Sequence, residues 1–290
     1  RVRSSAASDV YKRQHEERQE NRSEFQRDYD RLIFSAPFRR LQNKTQVFPL
    51  PGSVFVHNRL THSLEVASVG RSLGDDVAKA LLERHPELQD SFLPEIGSIV
   101  SAACLAHDLG NPPFGHSGEK AISTFFSEGK GVRLKEKQPN GEQLSPMEWE
   151  DLTHFEGNAN AFRILTHQFE GRRKGGFVLT YTTLASIVKY PFSSSLAGTK
   201  SKFGFFISEE ESFQKIATEL GLTLLNEHPL KYARHPLVYL VEAADDICYQ
   251  MMDIEDAYKL KILTTEETKE LLMTYFSDCL LYTSPSPRDL

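Results

Sequence analysis

Two histidines and two aspartates of this sequence lie in or beside apolar runs, where burying a charged group would be costly. His107 and Asp108 are adjacent at the end of one apolar run, Asp245 interrupts another, and His62 lies beside apolar positions upstream. Taken singly, each is more often a hydrogen-bonded core residue or an ion-pair partner. Together they form a mixed nitrogen and oxygen donor set for a divalent metal, with coordination positions left for water and substrate. The pattern therefore indicates metal-dependent hydrolysis.

A second pair has the spacing of an acid and base unit. His116 and Glu119 are three residues apart at the start of a predicted helix, so they share a face. A carboxylate fixes the tautomer of a neighbouring imidazole and favours its protonated form, as a proton donor to a leaving alkoxide requires. The alternative is a histidine with a capping glutamate at a helix N-terminus. The short loop back to Asp108 favours the catalytic interpretation.

Helices must position these residues, because apolar side chains recur at helical spacing through most of the chain. The run 99–109 predicts one buried helix, and the run 237–251 predicts another, with Pro236 in its first turn. The segment 110–115 (GNPPFG) cannot continue a helix and predicts a rigid loop before helix restarts near His116.

Helical register singles out one aspartate of the pair in the second run. Asp245, Tyr249 and Asp253 lie at i, i+4 and i+8 and share one face, whereas Asp246 points elsewhere. A single pocket wall could then carry a metal ligand and substrate contacts; an amphipathic surface helix is the alternative.

Composition sets the class of protein rather than its activity. The 290 residues are 39% hydrophobic and 26% charged, as in globular proteins, and the net charge of -6 argues against a surface devoted to polyanions. Three widely spaced cysteines fit a reducing cytoplasm, and no apolar run approaches membrane-spanning length. Residues 1–14 and 279–290 are predicted non-native flanks of a core over 15–278, and the polar segments 128–150 and 191–204 are predicted surface excursions.

The order His62, His107-Asp108, Asp245 resembles the H…HD…D signature of the HD superfamily. Longer segments resemble the deoxyguanosine triphosphate triphosphohydrolase (dGTPase) family: FRRLQNKTQVF (38–48), HNRLTHSLEV (57–66), AHDLGNPPFGHSGE (106–119), HFEGNANAFRIL (154–165) and EAADDICYQMMDIEDA (242–257). The resemblance implies an all-α HD-domain helical fold, here missing its native C-terminal part. It also implies that these four residues bind the metal, with Asp246 the rival to Asp245, and that Mn²⁺ or Mg²⁺ is favoured over Co²⁺, Fe²⁺ or Zn²⁺.

Other roles are also implied by the resemblance. His116 and Glu119 would be catalytic. Substrate contacts would come from Arg59, Lys189 and Lys202 on the triphosphate, from Tyr249 against the deoxyribose, from Gln46 and Val47 in the nucleoside pocket, and from His154 elsewhere on the substrate side. Helical spacing adds Asp253 as a further substrate contact on the face of Tyr249. A guanidinium suits phosphate oxygens, although surface solvation is the ordinary state of a lysine.

The predicted reaction is hydrolysis of dGTP, or another dNTP, to deoxynucleoside and triphosphate by water attack at the α-phosphorus. One alternative is an HD phosphohydrolase of another nucleotide, such as a nucleoside monophosphate or a signalling nucleotide. Another is a non-catalytic module that binds nucleotide or nucleic acid. The resemblance also implies a homo-oligomer with single-stranded DNA or a nucleotide as a possible effector, and no membrane partner is expected.

Overall fold

The computed structural model describes residues 22–44, 58–136, 142–170, 176–198 and 201–275, and it confirms the predicted all-α class. The helices are α1 (Glu24–Ile33), α2 (Ala36–Arg40), α3 (Arg59–Arg84), α4 (Ile96–Ala106), α5 (His116–Ser127), α6 (Pro146–Thr153), α7 (Gly157–Thr166), α8 (Tyr181–Ile187), α9 (Glu210–Leu220), α10 (Val238–Lys259) and α11 (Thr265–Met273). In these ranges the one sheet is an antiparallel pair, β1 (Leu224–Asn226) and β2 (Lys231–Tyr232). None of the helices described is long and apolar enough to span a bilayer.

Helix α4 forms the centre of the core and is buried along its whole length. Its side chains are small or apolar, which lets α3 approach closely. A Cβ added at Gly74 of α3 would come within 2.7 Å of the Gly97 Cα, so the two helices meet through their backbones. Helices α1 and α8 pack on α4, and α10 packs on both α3 and α4. This packing brings the start of α3, the end of α4 and the middle of α10 to one place.

Local signals set where these helices begin and end. Asn58 caps α3 in a capping box with Thr61, which puts His62 in the first turn. Helix α4 ends at Ala106, three residues before the predicted end, so His107 is its C-cap residue and Asp108 lies in the turn that follows. Helix α10 begins at Val238 with Leu237 as N-cap, so Pro236 precedes the helix instead of lying in its first turn.

The predicted rigid loop separates α4 from α5. The Lys44 ammonium donates hydrogen bonds to the Leu109 and Asn111 carbonyls at 3.3 and 2.8 Å. Phe114 and Gly115 both have positive φ, at 68° and 53°, and α5 then begins at His116 as predicted. The chain therefore turns sharply within a few residues of His107 and Asp108.

The prediction of a surface excursion over 191–204 is wrong for much of that segment. Ser193, Ser194, Ala197 and Phe203 are buried, and the last two belong to a small apolar cluster with Ala159 and Phe206. Serine and glycine indicate irregular backbone, but they do not indicate whether that backbone is covered. The described parts of 128–150 are mostly exposed, as predicted.

Candidate active site

Three of the four predicted metal ligands meet where α3, α4 and α10 come together. His62 Nε2 lies 3.0 Å and His107 Nε2 3.5 Å from Asp245 Oδ1. One donor atom from each residue lies within 4.8 Å of the other two, and within the described residues this is the one group of histidine, cysteine or carboxylate side chains so arranged. His107 Nδ1 lies 2.6 Å from the Cys104 carbonyl, to which it must donate, so Nε2 is the ring nitrogen that faces the cluster.

Electrostatics favour a cation in this cluster. Burial opposes protonation of His107, but the Asp245 carboxylate outweighs it and raises the pKa of His107 to about 9. Burial likewise opposes ionisation of Asp245, but His107 and His62 outweigh it and hold the pKa of Asp245 well below its usual range. The carboxylate is therefore ionised at neutral pH and attracts positive charge. A divalent ion would meet that requirement with the same donor atoms.

Asp108, the fourth predicted ligand, is held by an arginine instead. Arg59 Nη1 lies 2.7 Å from each carboxylate oxygen of Asp108, and both side chains are only 4% exposed. The Asn111 amide also donates to Asp108 Oδ1. Burial works against ionisation, yet His107 and Arg59 outweigh it and lower the pKa of Asp108. Asp108 thus lies beside the cluster, ionised, with its charge matched by Arg59.

Helix α10 presents Asp245 to the histidines and leaves Asp246 exposed to solvent. One turn later Tyr249 is 43% exposed, and burial together with the nearby Asp253 carboxylate raises the pKa of its phenol. The register chosen from the sequence therefore matches the geometry, with Asp245, Tyr249 and Asp253 following one another along one side of the helix.

A cavity of about 530 Å³ joins the cluster to the predicted acid and base pair. His62, His107, Asp108, Asp245 and Tyr249 line it, as do Arg59, His116, Glu119, Lys189 and Lys202. His116 Nδ1 lies 2.8 Å from Glu119 Oε2; a carboxylate oxygen only accepts, so the imidazole donates. The imidazole is 85% exposed, whereas Glu119 is largely covered. The cavity is thus large enough for a small ligand and brings candidate metal, proton-transfer and phosphate-binding groups together.

Both predicted phosphate lysines reach this cavity but are paired with carboxylates. Lys189 Nζ lies 2.7 Å from Glu242 Oε1, and Lys202 Nζ lies 2.8 Å from Glu156 Oε1. Burial lowers the pKa of each lysine, but the partner carboxylate outweighs it and raises that pKa. Both ammonium groups are therefore charged, and an incoming phosphate must compete with these partners.

Of the remaining predicted substrate residues, the two that the structure describes do not line the cavity. Gln46 and Val47 lie outside the residues that the structure describes. His154 is the C-cap residue of α6, and its Nδ1 lies 3.2 Å from Glu150 Oε2. It is not among the described residues that line the cavity. Asp253 lies on the same helix as Tyr249, which lines the cavity, but is not itself a lining residue.

Sequence reasoning missed several polar residues of the cavity wall, among them Glu242, Asn111 and Glu156. Glu242 lies three residues before Asp245 on the same helix, so helical spacing could have found it. Asn111 lies three residues after Asp108 and binds it. Glu156 is fully buried and caps α7, in a segment whose order Glu-Gly-Asn before an apolar run is an N-terminal signal.

Comparisons with known proteins agree with this geometry. Residues 59–174, which contain Arg59, both histidines of the cluster, and the acid and base pair, match the family model described as HD domain. A deoxyguanosinetriphosphate triphosphohydrolase-like protein of Pseudomonas aeruginosa (strain LESB58) is 47% identical over 278 residues, covering 92% of this chain and 60% of that protein. One of the same description from Synechocystis sp. is 43% identical over 272 residues, covering 91% and 61%.

A third relative, a deoxyguanosinetriphosphate triphosphohydrolase of Yersinia enterocolitica, is 37% identical over 276 residues, covering 84% of this chain and 51% of that protein. The chain thus spans between about half and three fifths of the length of these relatives. It belongs to the HD superfamily and, within it, to the deoxyguanosinetriphosphate triphosphohydrolase family.

Proposed function

We propose that the protein hydrolyses dGTP, or a broader set of dNTPs, to deoxynucleoside and tripolyphosphate. The convergence of His62, His107 and Asp245 beside an acid and base pair carries this proposal. The names of the relatives supply the substrate class. In the reaction a water oxygen joins the α-phosphorus, the bond from that phosphorus to the 5′-oxygen breaks, and the 5′-oxygen takes up a proton.

The donor set fits a divalent cation. Two imidazole nitrogens and a carboxylate oxygen suit several first-row metals, and Asp108 is close enough to exert an electrostatic effect on His107. When bound, such a cation would neutralise charge on the α-phosphate and lower the pKa of attacking water. We favour Mn²⁺ or Mg²⁺, with Co²⁺, Fe²⁺ and Zn²⁺ as competitors in the same titration, and we propose Asp108 as a fourth ligand.

Cationic side chains that line the cavity would bind the triphosphate. Lys189 and Lys202 both line it, each charged and each partly exposed. Arg59 lies deeper, against Asp108, where its guanidinium would face the phosphate nearest the cluster. These groups position and neutralise, which is the main protein contribution to phosphoryl transfer.

His116 would donate the proton that the leaving 5′-oxygen needs. Its Nδ1 is engaged by Glu119, so its Nε2 is the nitrogen left for the substrate. The phenol ring of Tyr249 would pack against the deoxyribose, with the Asp253 carboxylate nearby on the same helix. Recognition of the nucleobase stays a prediction. Any contact of Gln46, Val47 or His154 with the substrate is likewise a prediction.

The direct test is incubation with each dNTP and Mn²⁺ in ¹⁸O-labelled water. Attack at the α-phosphorus predicts one labelled oxygen in the tripolyphosphate and none in the deoxynucleoside, with turnover abolished by a chelator. Release of orthophosphate or pyrophosphate would contradict the proposal and favour another HD phosphohydrolase activity. Tight nucleotide binding without metal-dependent turnover would favour a binding module.

Some predictions concern the protein beyond this cavity. We propose that the protein is a homo-oligomer and has an effector site for single-stranded DNA or nucleotide. A cytoplasmic location and the core boundaries 15–278 are also proposals. Sedimentation with and without nucleotide would test the first two.

A further inference from the structure

The start of α7 binds two carboxylates. The first three N–H groups of a helix have no acceptor within it. Here Asn158 N and Ala159 N donate to Glu156 Oε2 at 2.6 and 3.2 Å. Gly157 N donates to Glu119 Oε1 at 2.8 Å. The positive end of the helix dipole therefore faces a capping carboxylate and the carboxylate of the acid and base pair together.

Glu119 is consequently fixed at both of its oxygens. Oε1 accepts from Gly157 N, and Oε2 accepts from His116 Nδ1 at 2.8 Å. A carboxylate is planar, so anchoring Oε1 on the backbone sets the direction of Oε2. That direction in turn sets the tautomer and orientation of an imidazole that is otherwise exposed.

Glycine at position 157 is required by space. A Cβ added there would overlap Asn111 Oδ1 and come within 3.0 Å of Glu119 Oε1. The same Asn111 side chain donates to Asp108. The bare backbone of Gly157 thus lets the loop after α4, which carries the metal-side residues, lie directly against the acid and base pair.

A lysine balances the two carboxylates. Lys202 Nζ lies 2.8 Å from Glu156 Oε1 and 3.6 Å from Glu119 Oε2. Glu156 is fully buried, and burial raises its pKa despite the lysine. The positive charge between the two carboxylates reduces the repulsion that would otherwise push Glu119 away from the helix end.

We propose that the backbone N–H of Gly157 positions the acid and base pair, by anchoring Glu119 so that His116 is held in the orientation for proton transfer. This inference rests on the proposed function for its kinetic consequence. Gly157 donates to Glu119 rather than to any reacting group, so it is a positioning residue.

Proline and alanine at position 157 form a matched pair of variants. Position 157 is the first residue of α7, where proline is tolerated, and Glu156 has φ -135° and ψ 129°, in the extended region that a residue before proline prefers. Both variants add a Cβ, but only Gly157→Pro removes the N–H. We expect kcat of Gly157→Pro to be about 10- to 100-fold below that of Gly157→Ala, with KM values within about threefold, as for loss of one charge-assisted hydrogen bond.

Nitrogen-15 NMR of the His116 ring, at a pH where it is neutral, gives a readout independent of turnover. Wild type should show the Nδ1–H tautomer, and Gly157→Pro a mixture. Glu119→Gln tests the same anchor without altering α7. If Gly157 N holds the amide oxygen, the NH₂ group faces His116 and forces the Nε2–H tautomer; an unanchored glutamine would rotate and keep Nδ1–H.

Three outcomes decide the matter. Equal kcat in the proline and alanine variants, both melting cooperatively, would overturn the proposal. So would the Nδ1–H tautomer in Glu119→Gln. If wild type turns over no dNTP, the proposed function fails, whereas the tautomers still test the anchor.

Discussion

The buried pair of Arg59 and Asp108 makes a sharp prediction about the metal. Removing one partner of a buried ion pair costs about 3–5 kcal/mol, because the other charge is left uncompensated. Both side chains are 4% exposed and Arg59 Nη1 is 2.7 Å from each oxygen, so Arg59→Gln falls in this class. With about 2–4 °C per kcal/mol for a chain of this size, Tm without metal should fall by roughly 6–20 °C.

Mn²⁺ should rescue this variant more than it stabilises wild type. The unpaired Asp108 carboxylate would strengthen cation binding, and each tenfold gain in affinity adds about 1.4 kcal/mol of stability at saturating metal. We expect the affinity of the variant for Mn²⁺ to be at least tenfold higher than that of wild type. At the same Mn²⁺ concentration, the difference in Tm between variant and wild type should then narrow by about 3–6 °C. Differential scanning calorimetry with and without Mn²⁺ measures both quantities.

Arg163→Gln is the matched control. It breaks the ion pair between Arg163 Nη1 and Oε1 of the buried Glu209, which are 2.5 Å apart. Neither residue lines the described cavity. Its Tm deficit should be the same with and without Mn²⁺. If the deficit of Arg59→Gln is equally insensitive to Mn²⁺, Asp108 does not face the cation and its assignment as a ligand is wrong.

Three further predictions concern stability. Burial raises the pKa of Asp28 to about 6, so its stabilising contribution is complete below its ordinary pKa and is lost as pH rises through 6. Relative to Asp28→Asn, wild type should lose roughly 2–2.5 kcal/mol between pH 4 and 7 in urea titrations, and parallel profiles would contradict this. Burial lowers the pKa of His235 to about 4, so its stabilising contribution is present above its ordinary pKa and is lost as pH falls towards 4. The free energy of unfolding should therefore fall on acidification by roughly 2–3 kcal/mol less in His235→Asn than in wild type. An equal fall in both proteins would rule out His235 as the cause. Gly74→Ala should destabilise by about 1–3 kcal/mol because its Cβ meets Gly97, whereas exposed Ser72→Ala on the same helix should stay within about 0.5 kcal/mol; equal urea midpoints for the two would contradict the close approach.

The helices and the position of Asp245 could be predicted because both depend on local spacing. Apolar periodicity locates α4 and α10, and the i, i+4 relation separates Asp245 from Asp246 before any tertiary structure is known. The rigid loop before His116 follows from proline and glycine chemistry. The grouping of distant residues came from resemblance to a family, since spacing alone does not bring segments together.

The partners of charged residues could not be predicted in the same way. Arg59 and Asp108 are 49 positions apart in sequence, so their pairing depends on how α3 packs against the end of α4. Likewise Lys202 meets Glu156 because Ala197 and Phe203 of its segment are buried against Ala159 near the start of α7, whereas the composition of 191–204 indicated surface. Tertiary packing decides which polar groups are covered.

Mn²⁺ titration calorimetry on wild type, Asp245→Asn and Asp246→Asn tests the metal centre most directly. The two variants differ by one position on α10, and only Asp245 reaches His62 and His107. We expect one Mn²⁺ per chain in wild type and in Asp246→Asn, and a loss of at least about 100-fold in affinity for Asp245→Asn, since even the outer partners of a metal site contribute about 10- to 100-fold. Unchanged binding by Asp245→Asn, or loss of binding by Asp246→Asn instead, would contradict a cation held by this cluster.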